Sequence, residues 1–253
     1  MTHTSVAAGH LAESDFRVGS VISRSVSLLL RHVPMFLMVA LIAYSPILLA
    51  PRTQPIDPTD VAQALNALGQ ALLALIPLIV VSTFGEAVIV HAAFQDMRRR
   101  PVRLVESLNV VVRRSLLIVR FAIVATFLIQ LGLILLIIPG LFLYTIWFVG
   151  LPACIIERLG PFPSLRRSRE LTKGHRWKLL GLALLIIIPS LGASFLITTG
   201  LAAVAGPTVA LIGRLIWKAI WGAFATVVIV MTYHDLRVAK EGADIDQVAA
   251  VFD

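Results

Sequence analysis

Six long apolar runs, at 33–50, 68–94, 117–138, 141–156, 179–196 and 215–232, constrain this chain more than anything else in it. A helix that crosses the hydrocarbon of a bilayer needs about 20 mostly apolar residues. The fourth run is short and the second long, but the segments between them are too polar or too brief to supply other spans. Composition points the same way: of 253 residues, 58% are hydrophobic and 14% charged, beyond what the core of a soluble domain absorbs. The expected fold is all-α: a polytopic membrane protein of six transmembrane helices forming one membrane domain over 1–253.

The cations give that domain an orientation. Nineteen of the 22 Lys and Arg fall in the N-terminal segment, the second-to-third and fourth-to-fifth connections and the C-terminal tail, all on one side of the expected bundle; Arg52, Arg214 and Lys218 are the exceptions. Short connections rich in Lys and Arg stay in the cytoplasm, so both termini are expected there. A net charge of +8 also suits nucleic acid, yet the basic residues flank apolar runs and form no stripe on a polar domain; anionic lipid is the expected counterion. The opening MTHTSVAAGHLAESDF lacks a basic stretch leading into an apolar one, so no cleavable signal is expected. The one cysteine, Cys154, excludes an internal disulfide framework.

Ahead of spans one, three and five lies a stretch with apolar residues at helical spacing and basic residues between them. Val18, Val21, Ile22 and Leu29 accompany Arg24 and Arg31; Val102, Val105, Leu108 and Val112 accompany Arg103, Arg113 and Arg114; Phe162, Leu165 and Leu171 accompany Arg166, Arg167, Arg169 and Lys173. These predict interfacial amphipathic helices at about 18–32, 102–114 and 162–174. Laid over one another without gaps from Val18, Val102 and Phe162, at offsets of 84 and 60 residues, they read as a threefold repeat of interfacial helix plus membrane hairpin. The alternative is that any cytoplasmic loop between two spans is basic with apolar edges.

Two stretches, Gln95–Leu108 and Ile138–Leu182, carry a resemblance. The second holds a Pro-Gly pair at Pro139-Gly140, an E-x-L-G-P element at Glu157–Pro161 and an L-R-R-S-x-E-L-T-x-G-x-R-W element at Leu165–Trp177. They resemble the bacterial family named after the glycerophosphodiester phosphodiesterase membrane domain, over roughly 86–237. The resemblance implies a six-span membrane module. The TIM-barrel enzyme to which some members are fused takes about 250 further residues, for which this chain has no room, and no catalytic residue carries over. Arg169 departs from the family, which often has an aromatic there.

The candidate lipid-headgroup residues are the loop set Arg98, Arg99, Arg100, Arg103, Arg113, Arg114, Arg166, Arg167, Arg169, Lys173, Arg176 and Trp177. In the fourth-to-fifth connection, helix anchoring and surface pairing through Glu170 is the competing reading of the same charges. Glu86 and His91 fall within the second span, where an ionisable group costs several kcal/mol unless paired or hydrated. Arg214 and Lys218 share a face of the sixth span, either snorkelling to outer phosphates or turning inward towards Glu86. Trp217 and Trp221 follow the same spacing and suit a membrane-interface belt. Prolines 46, 77, 152 and 189 fall within spans and are expected to kink them.

The sequence holds no H-x-x-x-H pair, carboxylate dyad, phosphate loop or nucleophile elbow. The expectation is a non-enzymatic inner-membrane protein, without cofactor or metal, whose basic interfacial helices engage anionic lipid. Its role would be auxiliary, in membrane or envelope homeostasis, beside a membrane-protein partner or a second copy and without nucleic acid. A small transporter or channel using Glu86 and the Arg214/Lys218 face is the main rival. An intramembrane lipid enzyme joining Glu86, His91 and the Arg176 region is a third possibility.

Overall fold

The computed structural model describes residues 17–49 and 60–241. The N-terminal stretch read for a signal, the end of the first apolar run at Ala50, and Arg52 lie outside them. The described residues form helices joined by short turns, in the order α1 (Val18–Arg31), α2 (Val33–Tyr44), a 3-10 turn (Ser45–Leu49), α3 (Val61–Met97), α4 (Leu104–Arg113), α5 (Ser115–Leu135), α6 (Ile137–Ile146), α7 (Gly150–Ile156), α8 (Pro161–Thr172), α9 (Arg176–Ala205) and α10 (Pro207–Glu241). Five segments are long and apolar enough to cross a membrane: Leu75–Met97, Ser115–Leu135, Ile138–Ile156, Arg176–Ala205 and Pro207–Glu241. The bent pair Val18–Arg31 and Val33–Leu48, broken at 92°, supplies a sixth if counted as one span. The chain is thus a multi-pass membrane protein by the length and apolarity of its helices.

Local sequence explains the breaks. Pro34 sits in the first turn of α2, where its missing N–H is one that a helix start leaves unbonded anyway. Pro46 follows the end of α2 and stands in the 3-10 turn. Pro152 lies in the first turn of α7, just after the break at 147–149 that divides the fourth apolar run into α6 and α7. Between α9 and α10 the chain reverses on Gly206, whose φ of 87° suits glycine, followed by Pro207 at the first position of α10.

One turn falls elsewhere than the sequence predicts. The α5–α6 reversal is made at extended Leu136, not at Pro139-Gly140, which lie inside α6. Pro139 is early enough in that helix to be tolerated, while Gly140 serves a close approach: a Cβ there would lie 2.5 Å from Leu133 backbone and side-chain atoms. The glycine of the pair packs two antiparallel helices and does not form their turn.

The main core gathers α2, the C-terminal half of α3, α9 and α10 around Phe36, Val90, Leu179, Leu182, Val227 and Tyr233. A smaller cluster of Phe121, Ala125, Cys154 and Leu165 joins α5, α7 and α8. Lipid-exposed apolar surface elsewhere needs no partner in a bilayer.

Three junctions resemble one another closely. His32, Arg114 and His175 each lie at a break between two helices, with φ, ψ of −124°, 24°, −114°, 17° and −113°, 10°. Seven positions before each stands a fully buried serine, Ser25, Ser107 and Ser168. Ser25 donates to the Val21 carbonyl, Ser107 bonds His91 Nδ1 at 3.0 Å and Ser168 donates to the Ile146 carbonyl at 2.8 Å. Two junction side chains bind a neighbouring helix end: His32 Nε2 to Asp96 at 2.9 Å, and Arg114 to the Ile155 carbonyl at 3.1 Å. The junctions are 82 and 61 positions apart, so the gapless offsets of 84 and 60 miss this register by two residues and one.

Candidate functional site

The structure divides the twelve lipid-headgroup candidates into two groups. Arg99, Arg100, Arg103, Arg113, Arg166, Arg169, Lys173 and Trp177 are exposed. Arg98, Arg114, Arg167 and Arg176 are only partly exposed, and each is held by the protein. Arg98 lies over the Phe94 ring at 5.7 Å and Arg176 over Phe142 at 5.6 Å, contacts in which a cation meets the negative face of an aromatic. Arg114 caps the end of α7 as described.

Arg167 is the most heavily bonded of the four. Its Nε donates to both Glu157 oxygens at 2.9 Å, and its other end pairs with Glu241. Tyr233, fully buried on α10, donates to the same Glu157 at 2.7 Å, and Arg237 donates to Glu241 at 3.0 Å. Burial works against the Arg167 charge, but the bonds to Glu241 and Glu157 outweigh it and hold its pKa above the usual value. This knot ties the α7–α8 connection to the last turns of α10. Lys240 adds a bond to the Glu170 carbonyl, and Glu170 accepts from Arg166 at 3.1 Å on an exposed surface, where such a pair is worth little.

α4 presents a different surface. Ser107 and Val111 are buried against the protein, while Val105, Leu108 and Val112, at 70%, 42% and 63% exposure, form an outward apolar stripe. Arg103, Glu106, Asn109 and Arg113 line an adjoining groove of about 470 Å³. An exposed apolar stripe bordered by cations is the form of a helix lying in a membrane interface. α8 differs: Leu165, Ser168, Leu171 and Thr172 turn into the bundle, and its outer face is mostly charged. α1 also buries one face, through Val21, Ser25 and Leu28, leaving Arg24, Val26, Leu30 and Arg31 exposed.

Within the bundle, Glu86 on α3 accepts a 2.9 Å hydrogen bond from Tyr44 on α2. Two glycines allow this approach. A Cβ on Gly85 would lie 2.2 Å from the Ala43 Cβ, and one on Gly222 of α10 would lie 2.4 Å from the Tyr44 ring. Lys218 is partly buried and within electrostatic reach of Glu86, but not in ion-pair contact. Arg214 Nε is buried without a hydrogen-bond partner. Trp217 and Trp221 stack at 5.2 Å, and their indole N–H groups donate to the Ser190 and Ile186 carbonyls of α9. They pin α9 and α10 together.

His91 and Glu86 share no hydrogen-bond partner among the described residues. His91 bonds Ser107 on α4, whereas Glu86 bonds Tyr44 on α2, and Arg176 is engaged with Phe142. The three groups named for an intramembrane lipid enzyme thus have separate partners. Among the described residues no group of three or more His, Cys, Asp or Glu could hold a metal ion.

Sequence reasoning missed Tyr44, Glu157, Tyr233 and the glycines at 85 and 222. Tyr44 within the first apolar run and Tyr233 directly after the sixth were the available signal, because a buried phenol needs a hydrogen-bond partner. No family model, curated protein or solved structure matches the chain.

Proposed function

We propose that this is a six-span inner-membrane protein with both termini in the cytoplasm, whose basic interfacial helices engage anionic lipid without catalysing a reaction. The single observation that supports this most is α4, with its outward stripe of Val105, Leu108 and Val112 beside exposed Arg103 and Arg113. In water such a stripe is a liability, while at a bilayer surface it enters the acyl boundary and the guanidinium groups meet phosphates. The 92° break between α1 and α2 supports the same placement for α1, across the direction of the span that follows. An auxiliary role in envelope homeostasis, beside a membrane-protein partner or a second copy, belongs to this reading, as does the resemblance to the phosphodiesterase membrane-domain family.

The threefold repeat is part of the proposal, now in the register of the junctions. Shared junction dihedrals and the buried serine seven positions earlier support it better than the gapless register does. Each unit would be one interfacial helix followed by two membrane passes.

Spin-labelled lipids test the lipid reading on the full chain in mixed bilayers. The motionally restricted fraction should be several-fold richer in an anionic label than in phosphatidylcholine, from roughly 1 kcal/mol per cation near the surface before screening. Replacing Arg100, Arg103 and Arg113 by Gln should remove most of that preference. Equal restriction of both labels by the unaltered protein would refute the reading.

A second reading, a small transporter, is favoured by Lys218 lying near Glu86 and by the unpartnered Arg214 Nε. It expects Glu86→Gln to abolish a flux of protons, alkali cations or chloride in reconstituted vesicles. Absence of all these fluxes in the unaltered protein would count against it.

A further inference from the structure

Where α1, the end of α3 and the end of α10 meet, Arg24, Ser27, Leu28, Arg31, Asp96, Met97, Arg99, Met231 and His234 line an open depression of about 340 Å³. Unlike the α4 groove, it is assembled from three helices distant in sequence. Three guanidinium side chains line it against one carboxylate, Asp96, which is bonded to His32 at 2.9 Å. Arg24 is engaged with Asp235 of α10, which fixes α1 against α10 and forms one wall. Arg31 and Arg99 are exposed and have no ion-pair partner among the described residues.

Arg99 has an unusual backbone, with φ of 54°, a left-handed conformation uncommon outside glycine and asparagine. The bonds Arg99 N to Asp96 O at 2.9 Å and Arg100 N to Gln95 O at 3.0 Å close the end of α3 around it, as helix-terminating turns do. A glycine would meet that backbone requirement without strain, so the arginine side chain is placed here at a conformational cost. Apolar Leu28, Met97 and Met231 form part of the lining.

We propose that this depression is a discrete binding site for the phosphate of one anionic glycerophospholipid. Arg31 and Arg99 supply charge-assisted, fork-shaped donors to the phosphate oxygens. Asp96 faces the headgroup beyond the phosphate and favours one that carries hydroxyl donors. The apolar lining receives the glycerol and the start of the acyl chains, which distinguishes the occupant from free phosphate. The site rests on the proposed interfacial placement of α1, but it claims one stoichiometric lipid where that reading claims only a general preference.

Native mass spectrometry of the full chain released from neutral detergent tests it, with phosphatidylglycerol, phosphatidylcholine and inorganic phosphate as added probes. One phosphatidylglycerol should be retained per chain, and Arg31→Gln with Arg99→Gln should weaken its retention about tenfold or more, the loss of two charge-assisted bonds. Arg103→Gln with Arg113→Gln should leave that single adduct in place, and the paired lysine variants at 31 and 99 should retain it only partly. Equal retention by the Arg31/Arg99 glutamine variant overturns the site even if the spin-label preference persists. Equal retention of phosphatidylcholine, or displacement of the lipid by millimolar inorganic phosphate, overturns an anionic lipid as the occupant.

Discussion

Replacing Arg167 by Ala should lower the stability of the protein by about 3 kcal/mol, the low end of the cost of leaving buried charge without its partner. Arg167, Glu157 and Glu241 have side chains 23%, 16% and 29% exposed, so water relieves part of the penalty but not most of it. Two carboxylates converge on this one guanidinium, and without it Glu157 is left to the Tyr233 hydroxyl and Glu241 to Arg237. Arg167→Lys should recover only part of the loss, because an ammonium cannot reproduce the side-on contact with both Glu157 oxygens. Combining Arg167→Ala with Glu157→Gln should cost less than the sum of the single changes. Unfolding followed in mixed micelles by tryptophan fluorescence measures all three; an additive pair would show that the knot is not a cooperative unit.

Replacing Gly222 by Val should be comparably damaging for a reason unrelated to charge. The added Cβ would meet the Tyr44 ring 2.4 Å away, and that ring is held by its bond to Glu86 while Ala43 beside it is packed on Gly85. Overpacking of this kind costs about 1–3 kcal/mol, with loss of the Tyr44 bond adding about 1 kcal/mol or more. Tyr44→Ala should relieve the clash, so the double variant Gly222→Val/Tyr44→Ala should be more stable than additivity predicts. If Gly222→Val alone matches the unaltered protein in thermal unfolding, α2 and α10 do not approach as closely as described.

What could be read from sequence was whatever depends on periodicity and charge. The second interfacial helix, predicted at 102–114, is α4 at Leu104–Arg113, and the first, predicted at 18–32, is α1 at Val18–Arg31. Both have strong 3.6-residue patterns, so the helix follows from local information. The first span was less legible, because α2 alone has only 12 residues and passes into a 3-10 turn at Ser45. The Pro139-Gly140 pair misled for a specific reason: a proline early in a helix and a glycine at a helix contact give the same dipeptide as a turn.

Site residues were legible as types and not as partners. Four arginines taken for the membrane surface are held by the protein, Arg98 and Arg176 on aromatic rings and Arg114 and Arg167 on oxygens 41 and 10 residues away. A basic loop residue carries no local mark of whether its acceptor is a lipid or the end of another helix. Glu86 was conspicuous because a carboxylate in an apolar run is rare, but Tyr44 was not, since its role depends on the α2–α3 register. The register is set by Gly85, whose missing side chain becomes meaningful only once Ala43 is placed against it.

Sidedness carries the whole account, and single-cysteine labelling in intact cells measures it most directly. In a Cys154→Ala background, Arg103→Cys on the α4 edge and Val204→Cys beside the α9–α10 turn, where the native valine is 89% exposed, sit on opposite sides of the proposed bilayer. A membrane-impermeant maleimide should label position 204 in intact cells and position 103 only after the membrane is opened. Labelling of position 103 from outside intact cells would contradict the cytoplasmic placement of the cation-rich end.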